Sequence, residues 1–269
     1  MSTQIITRQA EVNGIRYNYT TQGKDGAPWV TCSHALANNL SLWDEVAGSL
    51  SDRFQILRFD HPGQGGSSAI PGPYSFDMLI ENAIGLWDAL GIEASHWVGL
   101  SIGGMMGYGM AARHPDRVLS LIACDSRPDA PPEYADYFQY RIDTARDKGM
   151  DSLAQSSVER WFTPASIEAD TPAVNKVRDM VRATDPVGHE GCCQALKKLA
   201  FGAELTGIQV PTLILGGELD KGAPVDVLAE TAEKIPGAKH VVIPGAGHIT
   251  ALESPEVFQR ALDEFLVSL

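Results

Sequence analysis

Ser101 stands at the centre of Gly99-Leu100-Ser101-Ile102-Gly103, where an apolar run, His96 to Leu100, passes without a spacer into SIGGMMGYGMAARHP. A Gly-x-Ser-x-Gly string alone is common, but at a strand-to-helix junction it describes a nucleophile elbow. The sharp turn forces the serine into a strained backbone conformation that holds Oγ clear of the fold. Side chains two residues to either side would collide with it, which accounts for Gly99 and Gly103. The helix that follows aims its amino end at charge developing on a substrate oxygen. The chemistry implied is attack of a hydroxyl on an acyl carbon. The alternative is a glycine-rich turn that merely packs closely.

A serine hydroxyl needs a base to take its proton. Of seven histidines, His96 and His240 begin apolar runs and His114 precedes a proline. His189 falls in the helical middle of the chain, while His34 and His61 lie in loops ahead of the serine. His248, in Pro244-Gly245-Ala246-Gly247-His248, follows the last apolar run and precedes the last helical segment, where a serine, acid, histidine order places the base. The acid that orients it should follow a strand between Ser101 and His248. Asp220, after Gly216-Gly217-Glu218-Leu219, fits best, with Glu218 and Asp125 as rivals and a turn aspartate as the plain alternative. An oxyanion hole needs two backbone N–H groups. Ile102 supplies one, and the loop Ser33-His34-Ala35-Leu36-Ala37 supplies the other through Leu36, with Ala35 competing.

Other chemistries lack their residues. Gly63-Gln64-Gly65-Gly66-Ser67 has no Lys-Ser/Thr ending for a phosphate loop, and no dinucleotide fingerprint opens a first helix. No His-Glu-x-x-His or comparable ligand cluster implies a metal, the elbow carries serine rather than the aspartate of an alkyl-enzyme route, and nothing calls for an organic cofactor. Cys32, Cys124, Cys192 and Cys193 are too few and irregular for a disulfide scaffold, and read as reduced thiols of a cytoplasmic protein.

These residues need a scaffold, and the hydrophobic pattern supplies it. Asn13-Gly14 between Val12 and the alternating Ile15, Tyr17, Tyr19 predicts a hairpin. Strands follow at Trp29–Ser33, Phe54–Phe59, His96–Leu100 and Val118–Cys124, with a helix over Ser75–Leu90. Helical patches alone occupy 134–148, 150–161, 171–184 and 189–199. Strand grammar resumes with VPTLILGG and HVVIP, separated by a helix near 226–234 and followed by a helix over 255–266. Four glycines in the helix after Ser101 cost about 1 kcal/mol each, which close packing on a sheet would explain. The alternation predicts an α/β fold with a mostly parallel sheet covered by helices on both faces. Residues 1–126 and 207–269 form its core, and 127–206 form a helical cap over the carboxyl ends of the strands, where such sheets keep their sites.

The 269 residues, 44% apolar and 20% charged, suffice for one core carrying an insert. Lys plus Arg number 21 against 34 Asp plus Glu, a formal charge of −13, which opposes a nucleic-acid or anionic-membrane face. The start, MSTQIITRQAEVNG, lacks the basic and apolar parts of a signal peptide, and no apolar run is long enough to span a bilayer. The nucleophile calls for a small acyl substrate, neither nucleic acid nor membrane is expected as a partner, and assembly into a homo-oligomer is left open.

The elbow, the strand-helix grammar and the Asp-His spacing resemble the α/β-hydrolase superfamily. Within it the chain is similar to the 3-oxoadipate enol-lactonase group through SHALANNLSLWDEVAGSL, GPYSFDMLIENAIGLWDALGI, GLSIGGMMG and, in the insert, GMDSLAQSSVERWFTP and ATDPVGHEGCCQALKKL. The resemblance implies Ser101 as nucleophile, Asp220 as acid, His248 as base and the N–H groups of Leu36 and Ile102 as the hole. It also implies cofactor-free opening of a small acidic enol-lactone in the breakdown of aromatic compounds. The chain departs from the group at His34, where Asn is usual, and at Pro62-Gly63-Gln64-Gly65, where Arg-Gly-His-Gly is usual. Both departures bear on the substrate rather than the reaction class.

A helical lid would exclude water and add contacts to the substrate. Trp161 and Phe162 are candidates for an apolar wall, with packing of the insert's own core as the alternative. An acidic substrate needs a cation, and Arg141, Arg146, Arg160, Arg178 and Arg182 all lie in the insert. Arg141, Arg160, Trp161 and His34 are the candidate substrate contacts. Other uses of the same three residues remain open, namely linear ester hydrolysis, carbon-carbon bond hydrolysis or cofactor-free perhydrolysis. So does a non-enzymatic sensor that keeps the fold to bind a ligand.

Overall fold

The structure is a computed structural model that describes residues 6–269; Met1 to Ile5, part of the stretch examined above for a signal peptide, lie outside the described residues. Asn13 and Gly14 both take positive φ, 49° and 78°, and turn β1 (Arg8–Val12) into β2 (Ile15–Gly23) as the hairpin signal predicts. The chain continues through β3 (Trp29–Ser33), α1 (Asp44–Leu50), β4 (Gln55–Phe59) and α2 (Phe76–Leu90). Then come β5 (Ser95–Leu100), α3 (Ile102–Arg113) and β6 (Val118–Cys124). The insert contributes α4 (Tyr134–Lys148), α5 (Asp151–Trp161), α6 (Pro164–Glu168), α7 (Pro172–Ala183) and α8 (Pro186–Leu196). The core closes with β7 (Thr212–Gly217), α9 (Val225–Lys234), β8 (Lys239–Ile243), α10 (Thr250–Glu253) and α11 (Pro255–Val267).

The eight strands form one sheet in the order β1-β2-β4-β3-β5-β6-β7-β8. Only the β1-β2 and β2-β4 pairs are antiparallel; the other five are parallel. Helices cover both faces, so the central strands are largely buried, β5 and β7 at every residue. The order reverses between β4 and β5 around β3, and the carboxyl ends of β3, β5, β6 and β7 converge at this switch point.

The glycines of α3 have the packing reason expected of them. A Cβ on Gly103 would collide with the Ser33 carbonyl at the end of β3, and one on Gly107 would meet Leu121 of β6 and Trp97 of β5. The helix is thereby held against three strands, and its first turn, which follows the serine, is fixed against the end of β3.

Between β6 and β7 the strand alternation stops for five helices. Entry and exit segments pair as a stalk: Asp129 bridges Ala200, Ala130 N–H donates to Leu199, and Phe201 N–H donates to Pro128. α4 packs on α8 and α5 on α7 around buried Ile142, Leu153, Val158, Val177, Val181 and Cys193. Three of these helices start alike, with Thr163, Thr171 or Asp185 capping a first turn that opens on proline. This punctuation is visible in TPAS, TPAV and DPVG. It brings the start of α8 forward from residue 189 to Pro186 and adds α6, which apolar periodicity alone passes over.

Candidate active site

Ser101 occupies the one-residue joint between β5 and α3 with φ 56° and ψ −117°, a left-handed backbone that an L residue adopts only under strain. Its N–H donates to Cys124 at 2.9 Å, tying the joint to β6. Gly99 has no room for a side chain because a Cβ would strike the backbone of Gly103 and Gly104. The strain is thus held from both sides and the hydroxyl is left at the cavity wall.

His248 Nε2 lies 2.9 Å from Ser101 Oγ, and His248 Nδ1 lies 2.8 Å from Asp220 Oδ2. The Asp220 carboxylate is fully buried, and its other oxygen accepts the Gly222 N–H at 2.6 Å. With Nδ1–H donating to Asp220, the free lone pair of the neutral ring is on Nε2, facing the serine hydroxyl. Burial works against the charged imidazolium, but Asp220 beside it and Asp125 behind it outweigh that, with Arg160 opposing them. The His248 pKa therefore moves above its ordinary value.

The loop bearing His248 is stapled by carboxylates. Glu218 accepts from Gly245 N–H at 2.8 Å, Glu253 from Gly247 N–H at 2.7 Å, and Asp125 from the Thr250 hydroxyl at 2.5 Å. Asp125 and Glu218, the two rivals to Asp220, therefore hold the backbone around the histidine and make no bond to its ring. Burial, reinforced by Asp220, pushes the Asp125 carboxyl well above the usual range. Apolar pattern and residue order carry no sign of these backbone contacts; only the density of acids around a glycine-rich loop hints at them.

Leu36 and Ser101 share the cavity wall, and Ile102 is the first residue of α3, so its N–H has no partner four residues back in the helix. His34 is fully buried, stacked on His61 at 4.1 Å between ring centroids, and does not line the cavity. Its Nε2 accepts from the His61 N–H at 3.1 Å, so Nδ1 carries the proton and donates to Ala35 O at 2.8 Å. Burial holds both rings below the ordinary histidine value, consistent with a neutral pair. The Ala35 carbonyl and the Leu36 N–H belong to one planar peptide, so the ring anchors the orientation of that N–H. Ala37, at φ 55°, completes the turn.

A small cavity lies between Ser101 and His248 on one side and the insert on the other. Tyr134, Tyr137, Phe138, Trp161 and Leu196 make its wall apolar and aromatic. Trp161 lines it and Phe162 does not. Arg160, partly buried, also lines it, with its guanidinium 4.4 Å over the Tyr137 ring and no carboxylate partner among the described residues. Arg146, Arg178 and Arg182 instead pair with Glu190, Asp170 and Asp151 away from the cavity. Arg141 is 2% exposed and sits behind the wall against Tyr137 and Trp161. It donates to Ser157 at 3.1 Å and Tyr137 at 3.4 Å, and its Nε and Nη2 lack partners. All four cysteines are free and buried, and burial raises the Cys32 and Cys193 thiols to about 12, which leaves them protonated. Among the described residues no helix is long and apolar enough to cross a membrane.

A strained serine after the fifth strand, followed along the chain by an aspartate after the seventh and a histidine after the eighth, is the layout of the alpha/beta hydrolase fold. Residues 28–255 match that family's sequence profile, and the chain belongs to it. Its relatives include 3-oxoadipate enol-lactonase 2 of Acinetobacter baylyi, 31% identical over 93% of this chain and 92% of that one. The enol-lactonase of Burkholderia xenovorans LB400 superposes with a TM-score of 0.93 at 33% identity, covering 97% of this chain and all of the other. A thermophilic esterase from Thermogutta terrifontis superposes with a TM-score of 0.89 at 26% identity, over 99% of each chain.

Proposed function

We propose that this protein is a serine hydrolase that opens a small lactone through an acyl-enzyme, with Ser101 as nucleophile, His248 as base and Asp220 as orienting acid. The observation that carries the reading is the continuous relay from Asp220 Oδ2 through His248 to Ser101 Oγ, at 2.8 and 2.9 Å, on a serine held in the left-handed region. As Oγ attacks the lactone carbonyl, Nε2 takes its proton, and the imidazolium so formed is stabilised by Asp220. The N–H groups of Leu36 and Ile102 receive the oxyanion. The proton on Nε2 passes to the departing ring oxygen, and water then cleaves the acyl-enzyme by the same relay run in reverse. Side chains, backbone amides and water suffice for every step.

Residues 127–206 act as a cap in this reading. They supply Tyr134, Tyr137, Phe138, Arg160 and Trp161 to the wall, so the insert shapes the pocket while the core supplies the chemistry. Arg160, a cation on an apolar wall with no carboxylate partner among the described residues, supports a substrate with one carboxylate, as does the relation to enol-lactonases. A carboxylate-bearing five-membered enol-lactone combines a strained ester geometry with a good leaving group. The likeness to an esterase supports linear ester hydrolysis as a second reading, with the same relay and a different pocket preference.

The free base must be neutral to accept a proton. Because its surroundings raise the His248 pKa, the acid limb of kcat/KM should lie above pH 6.5, the ordinary histidine value, with activity falling as pH drops through it. Asp220→Asn removes the larger of the two stabilising carboxylates, and the limb should move down as residual activity falls. A pH profile of kcat/KM for both proteins checks this. A limb that stays in place in Asp220→Asn would assign it to another group.

A further inference from the structure

Glu253 lies five residues after His248, and the relay described above leaves it without a role. Its partly buried carboxylate takes three hydrogen bonds. Oε1 accepts from Thr163 N–H at 2.8 Å and from the Thr163 hydroxyl at 2.7 Å, and Oε2 accepts from Gly247 N–H at 2.7 Å. Thr163 caps α6 in the insert, and Gly247 immediately precedes the histidine. Beside this clamp the His248 N–H donates to the carbonyl of Trp161 at 2.7 Å. Trp161 ends α5 and lines the cavity. The two segments are in direct contact, since a Cβ on Gly247 would come within 2.6 Å of the Trp161 carbonyl and 3.0 Å of Glu253 Oε2.

We propose that Glu253 is a positioning residue that locks the α5–α6 turn of the insert to the His248 loop, so that the seating of the aromatic wall and the aim of the imidazole at Ser101 are set together. The inference rests on the reading of His248 as base. Hydrogen bonds to an ionised carboxylate are stronger than those between neutral groups, and here three converge on one side chain. Without it, the hydrogen bond from His248 N–H to the Trp161 carbonyl is the one that remains between the loop and this turn among the described residues. A base displaced by a fraction of an ångström loses rate although it touches the same substrate. Glutamine cannot substitute, because its NH2 would face a donor, either Gly247 N–H or the Thr163 pair.

The test compares the full-length wild type with Glu253→Ala, Glu253→Gln, Thr163→Val, Thr163→Ser and the Thr163→Val/Glu253→Ala double variant. The readouts are kcat and KM for p-nitrophenyl acetate and the second-order rate of labelling by a fluorophosphonate, each per folded molecule as judged by circular dichroism. Both Glu253 variants should lose about tenfold in kcat and in labelling rate, with KM moving less. Thr163→Val should cost about three- to tenfold, while Thr163→Ser, which keeps the hydroxyl donor, should stay within about twofold of wild type. In the Glu253→Ala background the valine change should add almost nothing. A side chain that only stabilised the fold would lower the melting temperature and leave these rates unmoved. Wild-type rates in both Glu253 variants, or an equal cost of Thr163→Val with and without Glu253, overturn the clamp. Ser101→Ala and His248→Ala run alongside separate the causes. If they too retain wild-type rates, the base reading falls and the clamp with it; if they are inactive while the Glu253 variants are normal, only the clamp falls.

Discussion

Ser101→Ala should abolish covalent labelling by a serine-directed phosphonate and lower turnover at least about 1000-fold, and His248→Ala should be nearly as severe. The expectation follows from the geometry of the relay. A hydroxyl whose proton has no acceptor is a poor nucleophile, and His248 Nε2, 2.9 Å away, is the titratable acceptor within hydrogen-bond reach of Ser101 Oγ. Residual activity should not be zero, because the backbone donors at Leu36 and Ile102 still bind a developing oxyanion and the pocket still concentrates the substrate. The double variant should be scarcely worse than either single one, since the two side chains work as a unit. The measurements are steady-state rates at equal protein concentration and intact-mass detection of the phosphonate adduct. Wild-type-like hydrolysis by either variant would refute the relay.

Much of this arrangement is legible in the chain, and the reason is local. Ser101 is marked by an abrupt change from strand to helix pattern with glycines at fixed offsets, and a turn of that kind has few sequence solutions. Order along the chain points to His248, but it leaves Asp220 beside Glu218 and Asp125 until the fold turns those two acids toward the backbone and Asp220 toward the imidazole. The insert is visible as a break in alternation, but apolar periodicity passes over the helix at Pro164 and starts α8 late, where only the Thr-Pro and Asp-Pro steps mark the true starts. What the chain hides is reciprocal and distant. The bond between Thr163 and Glu253 joins residues 90 apart, and that between Asp125 and Thr250 joins residues 125 apart. Neither partner leaves a periodic or compositional trace, because a carboxylate near a loop reads the same whether it holds the loop or faces solvent. His34 illustrates the same limit. As a residue type it suggests a contact with the substrate, yet its ring is fully buried beneath the Ala35–Leu36 peptide. Five insert arginines are likewise equivalent until the fold pairs three of them at the surface, buries Arg141 behind the wall and leaves Arg160 on it.

Arg160→Ala should therefore weaken hydrolysis of a carboxylate-bearing lactone far more than that of its uncharged analogue. The guanidinium stands on the cavity wall with an aromatic ring beneath it and no acid paired with it among the described residues, so an anionic substrate can take its hydrogen-bonding capacity. A hydrogen bond to a charged group is worth about 1.5–3 kcal/mol, which corresponds to roughly 10- to 150-fold in kcat/KM for the acidic lactone. The neutral lactone makes no such bond and should change by less than about threefold. Arg160→Lys keeps the charge but loses the planar, bidentate fork, and should recover only part of the preference. Arg146→Ala, which breaks a surface pair with Glu190, should leave both substrates unaffected. Arg141→Ala removes a buried side chain from between Tyr137 and Trp161, and should depress both substrates together by loosening the wall they share. The measurement is a kcat/KM panel of acidic lactone, neutral lactone and linear ester across these variants. An Arg160→Ala protein that loses the charged and uncharged lactones equally removes the carboxylate from the proposed substrate. A wild type that favours the neutral lactone or the linear ester more than tenfold moves the assignment to esterase chemistry on the same relay.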